Sequence, residues 1–208
     1  MKNLLMVDDE AYWEKRMSVD TIGQTFSHGC SVTHAPYEPT SYYVLARLVK
    51  SGYITRHNTI CDYGCGKGRV CFFLAYNTQC QAIGVEYDQR LLDKAFDNLK
   101  QFIAPHLILF RHEDAAVFTP PAKVDRCYFF RPFSSKIFKA SIANLSQSLQ
   151  KYPRTVLLFL YYPAPLYIEY LQQSTEFRLV DVIECQQSVA SFDSLEGIVV
   201  FSSAKHGV

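Results

Sequence analysis

The sequence has no excess of charge of either sign and no long hydrophobic run. Its 208 residues include 21 basic and 20 acidic side chains, so a net charge of +1 neither indicates nor excludes nucleic-acid binding. The longest apolar run, 155–162, has the length of a strand and is far below the roughly 20 residues of a membrane-spanning helix. The N-terminus turns acidic at Asp8, too early for the apolar part of a secretory signal. We therefore expect a cytoplasmic protein without a membrane partner.

The seven cysteines lack the spacing of a metal or redox motif. No two of them are separated by the two residues that are typical of zinc knuckles and of dithiol oxidoreductases. Cys61, Cys71 and Cys127 stand inside apolar runs, where a thiol behaves as a small hydrophobic group. The sequence therefore predicts reduced cysteines and no metal site.

Short apolar runs alternate with amphipathic segments from about residue 58 onward. Strands are predicted at 59–63, 81–86, 106–111, 124–130, 155–161, 178–185 and 195–201, and helices at 40–49, 69–77, 89–102, 134–150 and 163–173. This alternation implies an α/β fold, a parallel sheet with helices on both faces. Only a short connection joins the last two strands, so they are expected to pair antiparallel. Residues 1–52 are expected to form a mostly helical extension, and residues 53–208 the ligand-binding domain.

A glycine-rich loop joins the first predicted strand to the next helix. Gly64, Gly66 and Gly68 alternate with other residues directly after Asp62 and Tyr63. Glycines allow a left-handed backbone and a close approach of a ligand to N–H groups at the positive end of a helix dipole. The same three glycines could instead form only a tight turn.

Two acidic residues follow the next two strands. Glu86 ends the second strand, at the edge where open α/β sheets bind ligands, and its carboxylate could accept hydrogen bonds from ribose hydroxyls or simply face solvent. Asp114 follows the third strand and could accept a hydrogen bond from an adenine amino group or cap a helix. Together with the glycine loop, these acids favour a nucleoside site.

The segment Asp62-Tyr63-Gly64-Cys65-Gly66-Lys67-Gly68-Arg69 resembles motif I of the class I S-adenosylmethionine-dependent methyltransferases. Residues 83–88 look like the segment that carries the ribose-binding acid, and residues 113–115 look like the adenine-binding turn. Tyr37-Glu38-Pro39-Thr40 together with this loop is similar to a poorly characterised bacterial group of the family. The resemblance implies a Rossmann-like methyltransferase fold with a seven-stranded, mostly parallel sheet, an antiparallel C-terminal strand, and S-adenosylmethionine as the cofactor.

The resemblance also implies roles for individual residues. The methionine part of the cofactor would lie over the loop residues Gly64, Cys65, Gly66 and Gly68. Asp62 would orient this loop or reach the cofactor amino group through water.

On the nucleoside side, the resemblance implies that Glu86 holds the ribose and that Tyr87 packs on the adenine. Asp114 and Ala115 would bind the edge of the adenine ring. Tyr37 and Thr40 would close the pocket near the cofactor carboxylate, or else form the turn and N-cap that begin the helix at 40–49.

The predicted reaction site follows the fourth strand, at Arg131-Pro132-Phe133. Many amine methyltransferases carry Asn or Asp here, followed by proline and an aromatic residue, and similar bacterial sequences carry Phe-Asn-Pro-Phe. Arg131 replaces the acceptor side chain, and a guanidinium can only donate hydrogen bonds. It would suit an anionic substrate group, mark a site that has lost its original chemistry, or point to solvent. The methyl acceptor is therefore left open.

Three functions follow from these features. The first is a methyltransferase with an unidentified small-molecule or macromolecular acceptor. The second is a cofactor-binding sensor or partner subunit that transfers no methyl group. The third is an NAD-dependent oxidoreductase, which the spacing disfavours, because the third glycine of the loop comes one residue earlier than in the dinucleotide fingerprint. The oligomeric state is left open.

Overall fold

The computed structural model describes residues 9–23, 37–130, 134–185 and 197–204. They contain one seven-stranded sheet with the order β3-β2-β1-β4-β5-β7-β6. The strands are β1 Thr59–Tyr63, β2 Gln81–Glu86, β3 Ile108–His112, β4 Arg126–Phe130, β5 Leu157–Tyr161, β6 Arg178–Glu184 and β7 Gly197–Ser202. β7 pairs antiparallel with both neighbours, and all other pairs are parallel, which confirms the predicted fold class.

Six α-helices cover the two faces of the sheet in the described part of the chain. They are α1 Glu10–Met17, α2 Tyr42–Lys50, α3 Arg69–Thr78, α4 Gln89–Gln101, α5 Ser135–Lys151 and α6 Pro165–Ser174. α1 to α4 contribute to the apolar cluster on one face, and α5 and α6 contribute to the cluster on the other. All five residues of β1 are buried, as expected for a central strand with both faces covered. No helix among the described residues is long and apolar enough to span a membrane.

Several predicted boundaries differ from the observed ones by one or two residues, and the starts of β3 and α2 show why. The chain from Pro105 to Leu107 forms a 3₁₀ turn, which the fixed φ of Pro105 favours at its first position, so β3 begins only at Ile108. α2 begins at Tyr42 rather than at Thr40, and the Ser41 hydroxyl caps it by accepting from Val44 N at 3.3 Å. Ser134 holds the predicted N-cap position of α5, but its side chain makes no capping hydrogen bond.

Candidate functional site

The glycine loop folds back against the end of β2. Gly64, Gly66 and Gly68 have φ values of 77°, 54° and 89°, the left-handed region that side chains with a Cβ disfavour. The backbone N–H groups of Gly64 and Cys65 both donate to Val85 O, at 2.8 and 3.0 Å. The loop is therefore fixed at the carboxyl edge of the sheet, directly before α3.

Gly66 is also required by its surroundings. A Cβ at this position would clash with Cε2 and Cδ2 of Tyr37, whose ring covers the loop. Tyr37 therefore lies on the glycine loop, as its predicted role in closing the pocket requires.

We expect Gly66→Ala to lower the free energy of unfolding by about 2–4 kcal/mol. The strain of an alanine in the left-handed conformation adds to the cost of displacing the Tyr37 ring. Gly52→Ala is the matched control, since Gly52 has φ +78° but a Cβ added there would meet nothing within 4 Å. The control is expected to lose only about 1 kcal/mol, the backbone part alone. Urea denaturation measures both losses, and equal losses would contradict the contact with Tyr37.

Glu86 joins the end of β2 to the glycine loop. Its Oε2 accepts from Gly66 N and its Oε1 from Asp88 N, both at 2.8 Å. Burial raises the pKa of this carboxyl group, while the backbone donors oppose the rise. Each carboxylate oxygen has a second lone pair, so Glu86 can bind two ligand hydroxyls without releasing the loop.

Asp62 lies beneath the loop and is only 3% exposed. Burial, and then the negative charge of Glu86, raise the pKa of Asp62 to about 8. The Cys71 thiol donates weakly to Asp62 Oδ2 at 3.9 Å, and no ion pair with a basic side chain is found for Asp62 in the described residues. A cationic ligand group beside Asp62 would favour its ionised form.

The predicted adenine-binding residues lie at the same edge. Tyr87 follows Glu86 and is 58% exposed, and its carbonyl bonds to the His112 ring at 2.9 Å. Asp114 Oδ1 accepts from Ala116 N at 2.8 Å and so closes a turn, whereas the alternative role considered for it is the cap of a helix. Ala115 is buried. Adenine binding by these residues stays a prediction.

Thr40 and Tyr37 occupy different surroundings. The buried Thr40 hydroxyl is 3.1 Å from the hydroxyl of Tyr128, on β4. The Tyr37 hydroxyl instead donates to Thr21 O at 2.7 Å, while its ring lies on Gly66. Thr40 does not cap α2, since Ser41 does.

The carboxyl ends of β4 and β5 carry three aromatic rings. The centroid of Phe130 lies 4.9 Å from that of Tyr161 and 6.5 Å from that of Tyr162, and the two tyrosine rings are 4.7 Å apart. Tyr162 has φ 47°, an uncommon conformation of the kind that clusters at functional sites. The predicted reaction-site residues Arg131, Pro132 and Phe133 follow directly but lie outside the described residues, so their roles stay predictions.

Arg69 is not among the residues predicted for the site, although it directly follows the loop. It is 2% exposed and forms an ion pair with Glu10 at 2.7 Å. No local pattern reveals this contact, because the two residues are 59 positions apart. No group of three or more metal-ligating side chains occurs in the described ranges.

Residues 54–155 match the family model Methyltransf_31, described as a methyltransferase domain. Over 72 residues the chain is 31% identical to a protein-lysine N-methyltransferase of Saccharolobus islandicus, which is 34% of this chain and 44% of that protein. The chain thus spans less than half the length of this curated relative.

Solved methyltransferase structures share the fold. An RNA methyltransferase from Salinibacter ruber, in complex with S-adenosylhomocysteine, matches with a TM-score of 0.51 and 19% identity, over 79% of this chain and 92% of that one. Precorrin-6y C5,15-methyltransferase from Geobacter metallireducens matches with a TM-score of 0.55 and 15% identity, over 79% and 88%. At such identities the likeness is one of fold.

Proposed function

We propose that the chain is a class I S-adenosylmethionine-dependent methyltransferase, as its match to a methyltransferase family model supports, and that its acceptor binds at the carboxyl ends of β4 and β5. The observation that carries the proposal is the pair of carboxylates at the glycine loop. Asp62 lies buried beneath the loop, and Glu86 binds the Gly66 N–H from the end of β2.

These residues fit the cofactor of the family. The left-handed glycines fix the loop directly before α3, and a buried carboxyl group with a pKa of about 8 matches a ligand ammonium group. Asp62 would hold the amino group, Glu86 the ribose hydroxyls, and Asp114 the adenine edge. When bound, S-adenosylmethionine supplies a sulfonium-activated methyl group. The work left to the protein is to align the acceptor with it and to exclude water.

We propose that Phe130, Tyr161 and Tyr162 contact the acceptor. Their rings stand at the edge of the sheet that also carries the loop and Glu86, and aromatic rings favour a flat or apolar group. The named relatives act on different substrates, a protein lysine, an RNA and a precorrin, so no single acceptor is carried over from them.

Turnover distinguishes this enzyme from a cofactor-binding sensor. The purified protein would be incubated with S-adenosylmethionine and separate panels of aromatic amines, phenols, carboxylic acids, lysine peptides and RNA, and released S-adenosylhomocysteine would be quantified. Release that depends on one acceptor supports the proposal. Tight binding of S-adenosylhomocysteine without release from any panel would favour the sensor.

With an acceptor in hand, we expect Tyr162→Ala to raise its KM by about tenfold, since one contacting ring is lost. The affinity for S-adenosylhomocysteine should not change. The matched control is Tyr152→Ala, because Tyr152 is 46% exposed and follows α5 at the opposite edge of the sheet. Steady-state kinetics measures both, and an unchanged KM in Tyr162→Ala would contradict the assignment of the acceptor site.

A cytoplasmic location completes the proposal. Burial raises the pKa of Cys61, Cys65, Cys71, Cys80 and Cys127, which keeps these thiols protonated and unreactive. Buried, protonated thiols of this kind are typical of proteins in a reducing compartment.

A further inference from the structure

A buried arginine connects the glycine loop to the first helix. Arg69 is the first residue of α3, and its Nη1 donates to Glu10 Oε1 at 2.8 Å and to Thr40 O at 3.2 Å. Its Nη2 lies 3.5 Å from Glu14 Oε1, and its guanidinium lies over the Tyr42 ring at 4.4 Å. A single side chain thus binds α1, the end of the 37–40 segment and α2 at once.

Thr21 joins this arginine to the ring that covers the loop. The Thr21 hydroxyl accepts from Arg69 Nε at 2.7 Å and donates to Glu14 Oε1 at 2.5 Å. Its backbone N–H donates to Glu14 Oε2 at 2.6 Å, and its carbonyl accepts from the Tyr37 hydroxyl at 2.7 Å. A continuous chain of hydrogen bonds therefore runs from the start of α3 to Tyr37, whose ring returns to Gly66.

Hydrogen bonds also connect the neighbours of Thr21 to the glycine loop. Lys67 Nζ, within the loop, donates to Ile22 O at 2.6 Å. Asn98 of α4 bonds to both backbone groups of Asp20, at 2.8 and 3.1 Å, and donates to Lys67 O at 3.2 Å. Residues 20–22 consequently form a cover that is held against the glycine loop from both sides.

Burial of Arg69 and Glu14 has a desolvation cost that such pairs often fail to recover as stability. The pair instead fixes the relative positions of the groups around it, because a planar guanidinium donates to several acceptors in a defined arrangement. We infer that Arg69 and Glu14 are positioning residues for the cofactor site: through Thr21 they hold the Tyr37 ring and residues 20–22 over the loop. This inference rests on the proposed function.

The test uses the only tryptophan of the chain. Trp13 lies in α1, is 2% exposed, and packs edge-on against Phe73 at 4.8 Å between centroids, so its emission reports whether α1 is docked. Calorimetry with S-adenosylhomocysteine reports the site independently of turnover. Both measurements use the full chain.

Two variants separate docking of α1 from positioning of Tyr37. In Arg69→Lys a charge still faces Glu14 but the planar donors are lost, and we expect about 10–100-fold weaker binding of S-adenosylhomocysteine with red-shifted Trp13 emission. In Tyr37→Phe only the bond to Thr21 is lost, and we expect about 3–10-fold weaker binding with unchanged emission. In both, KM for the cofactor should rise while kcat stays within about threefold.

Lys100→Met is the matched control, since Lys100 forms an exposed ion pair with Asp97 on α4. It should leave affinity and emission unchanged. Binding within twofold of the unaltered protein in Arg69→Lys and Tyr37→Phe would overturn the inference, whether or not the emission shifts, because α1 would then serve the fold alone. Failure of the unaltered protein to bind S-adenosylhomocysteine would contradict the proposed function, and therefore also this inference.

Discussion

Asp62→Asn is expected to raise the melting temperature of the unliganded protein by about 5–10 °C at pH 8, while weakening its binding of S-adenosylhomocysteine. Asp62 is buried, and burial raises its pKa to about 8. Holding an ionised carboxylate there opposes folding by a few kcal/mol, on the scale of about 1.4 kcal/mol per pKa unit. In a chain of this size about 1 kcal/mol corresponds to 2–4 °C. Asparagine keeps the shape and removes the charge.

The gain depends on pH in a defined direction. An unfolded aspartate ionises near pH 4, whereas the folded one keeps its proton until about pH 8. The folded state therefore binds the extra proton between these values, and the stability contributed by Asp62 is complete below pH 4 and lost as the pH rises to 8. The advantage of Asp62→Asn should be small at pH 5 and largest at pH 8.

Thermal denaturation at both pH values measures this difference. Asp97→Asn is the control, because Asp97 lies on the exposed face of α4, and its replacement should change stability by no more than about 0.5 kcal/mol. Equal melting temperatures for Asp62→Asn and the unaltered protein at pH 8 would show that Asp62 is not held in a raised-pKa environment. A ligand ammonium should in turn release the Asp62 proton, so calorimetric heats at pH 7 should depend on the buffer.

Glu86→Gln should reduce the affinity for S-adenosylhomocysteine by about 100-fold. The Glu86 carboxylate already accepts from Gly66 N and Asp88 N, and its remaining lone pairs are those assigned to the ribose. Glutamine has one accepting oxygen instead of two, so the loop and the ribose would compete for it. Hydrogen bonds to a charged group contribute about 1.5–3 kcal/mol each, which leads to the expected factor.

Glu184→Gln is the matched control for Glu86→Gln. Glu184 is an exposed residue at the end of β6, at the same edge of the sheet. Its replacement should leave the affinity within about twofold, since it has no assigned contact with the ligand. Equal losses in both variants would indicate a general effect of charge at this edge rather than a ribose site.

The fold could be predicted because its determinants are local. β1 and β2 are short apolar runs flanked by polar residues and glycines, and α4 carries apolar residues at helical spacing, so their positions follow from periodicity. Errors of a few residues occur where another local rule decides. The turn at Pro105–Leu107 and the cap at Ser41 are examples.

The site could be predicted only in part, because its completion depends on distant contacts. The glycine loop and Glu86 follow from motif and strand position. By contrast, the cover over the loop depends on Arg69 meeting Glu10 and Glu14, which are 59 and 55 positions away. Neither glutamate belongs to any motif, and only folding of α1 onto α3 brings them to the arginine. The same holds for Tyr37, because no sequence pattern indicates that its ring contacts Gly66.

The most direct test of the cofactor site is a calorimetric titration of the full chain with S-adenosylhomocysteine, repeated with NAD and with Glu86→Gln. We expect one-to-one binding of S-adenosylhomocysteine, which Glu86→Gln weakens by about 100-fold, and no heat from NAD. Failure to bind S-adenosylhomocysteine, or NAD binding in its place, would contradict the assignment of this site.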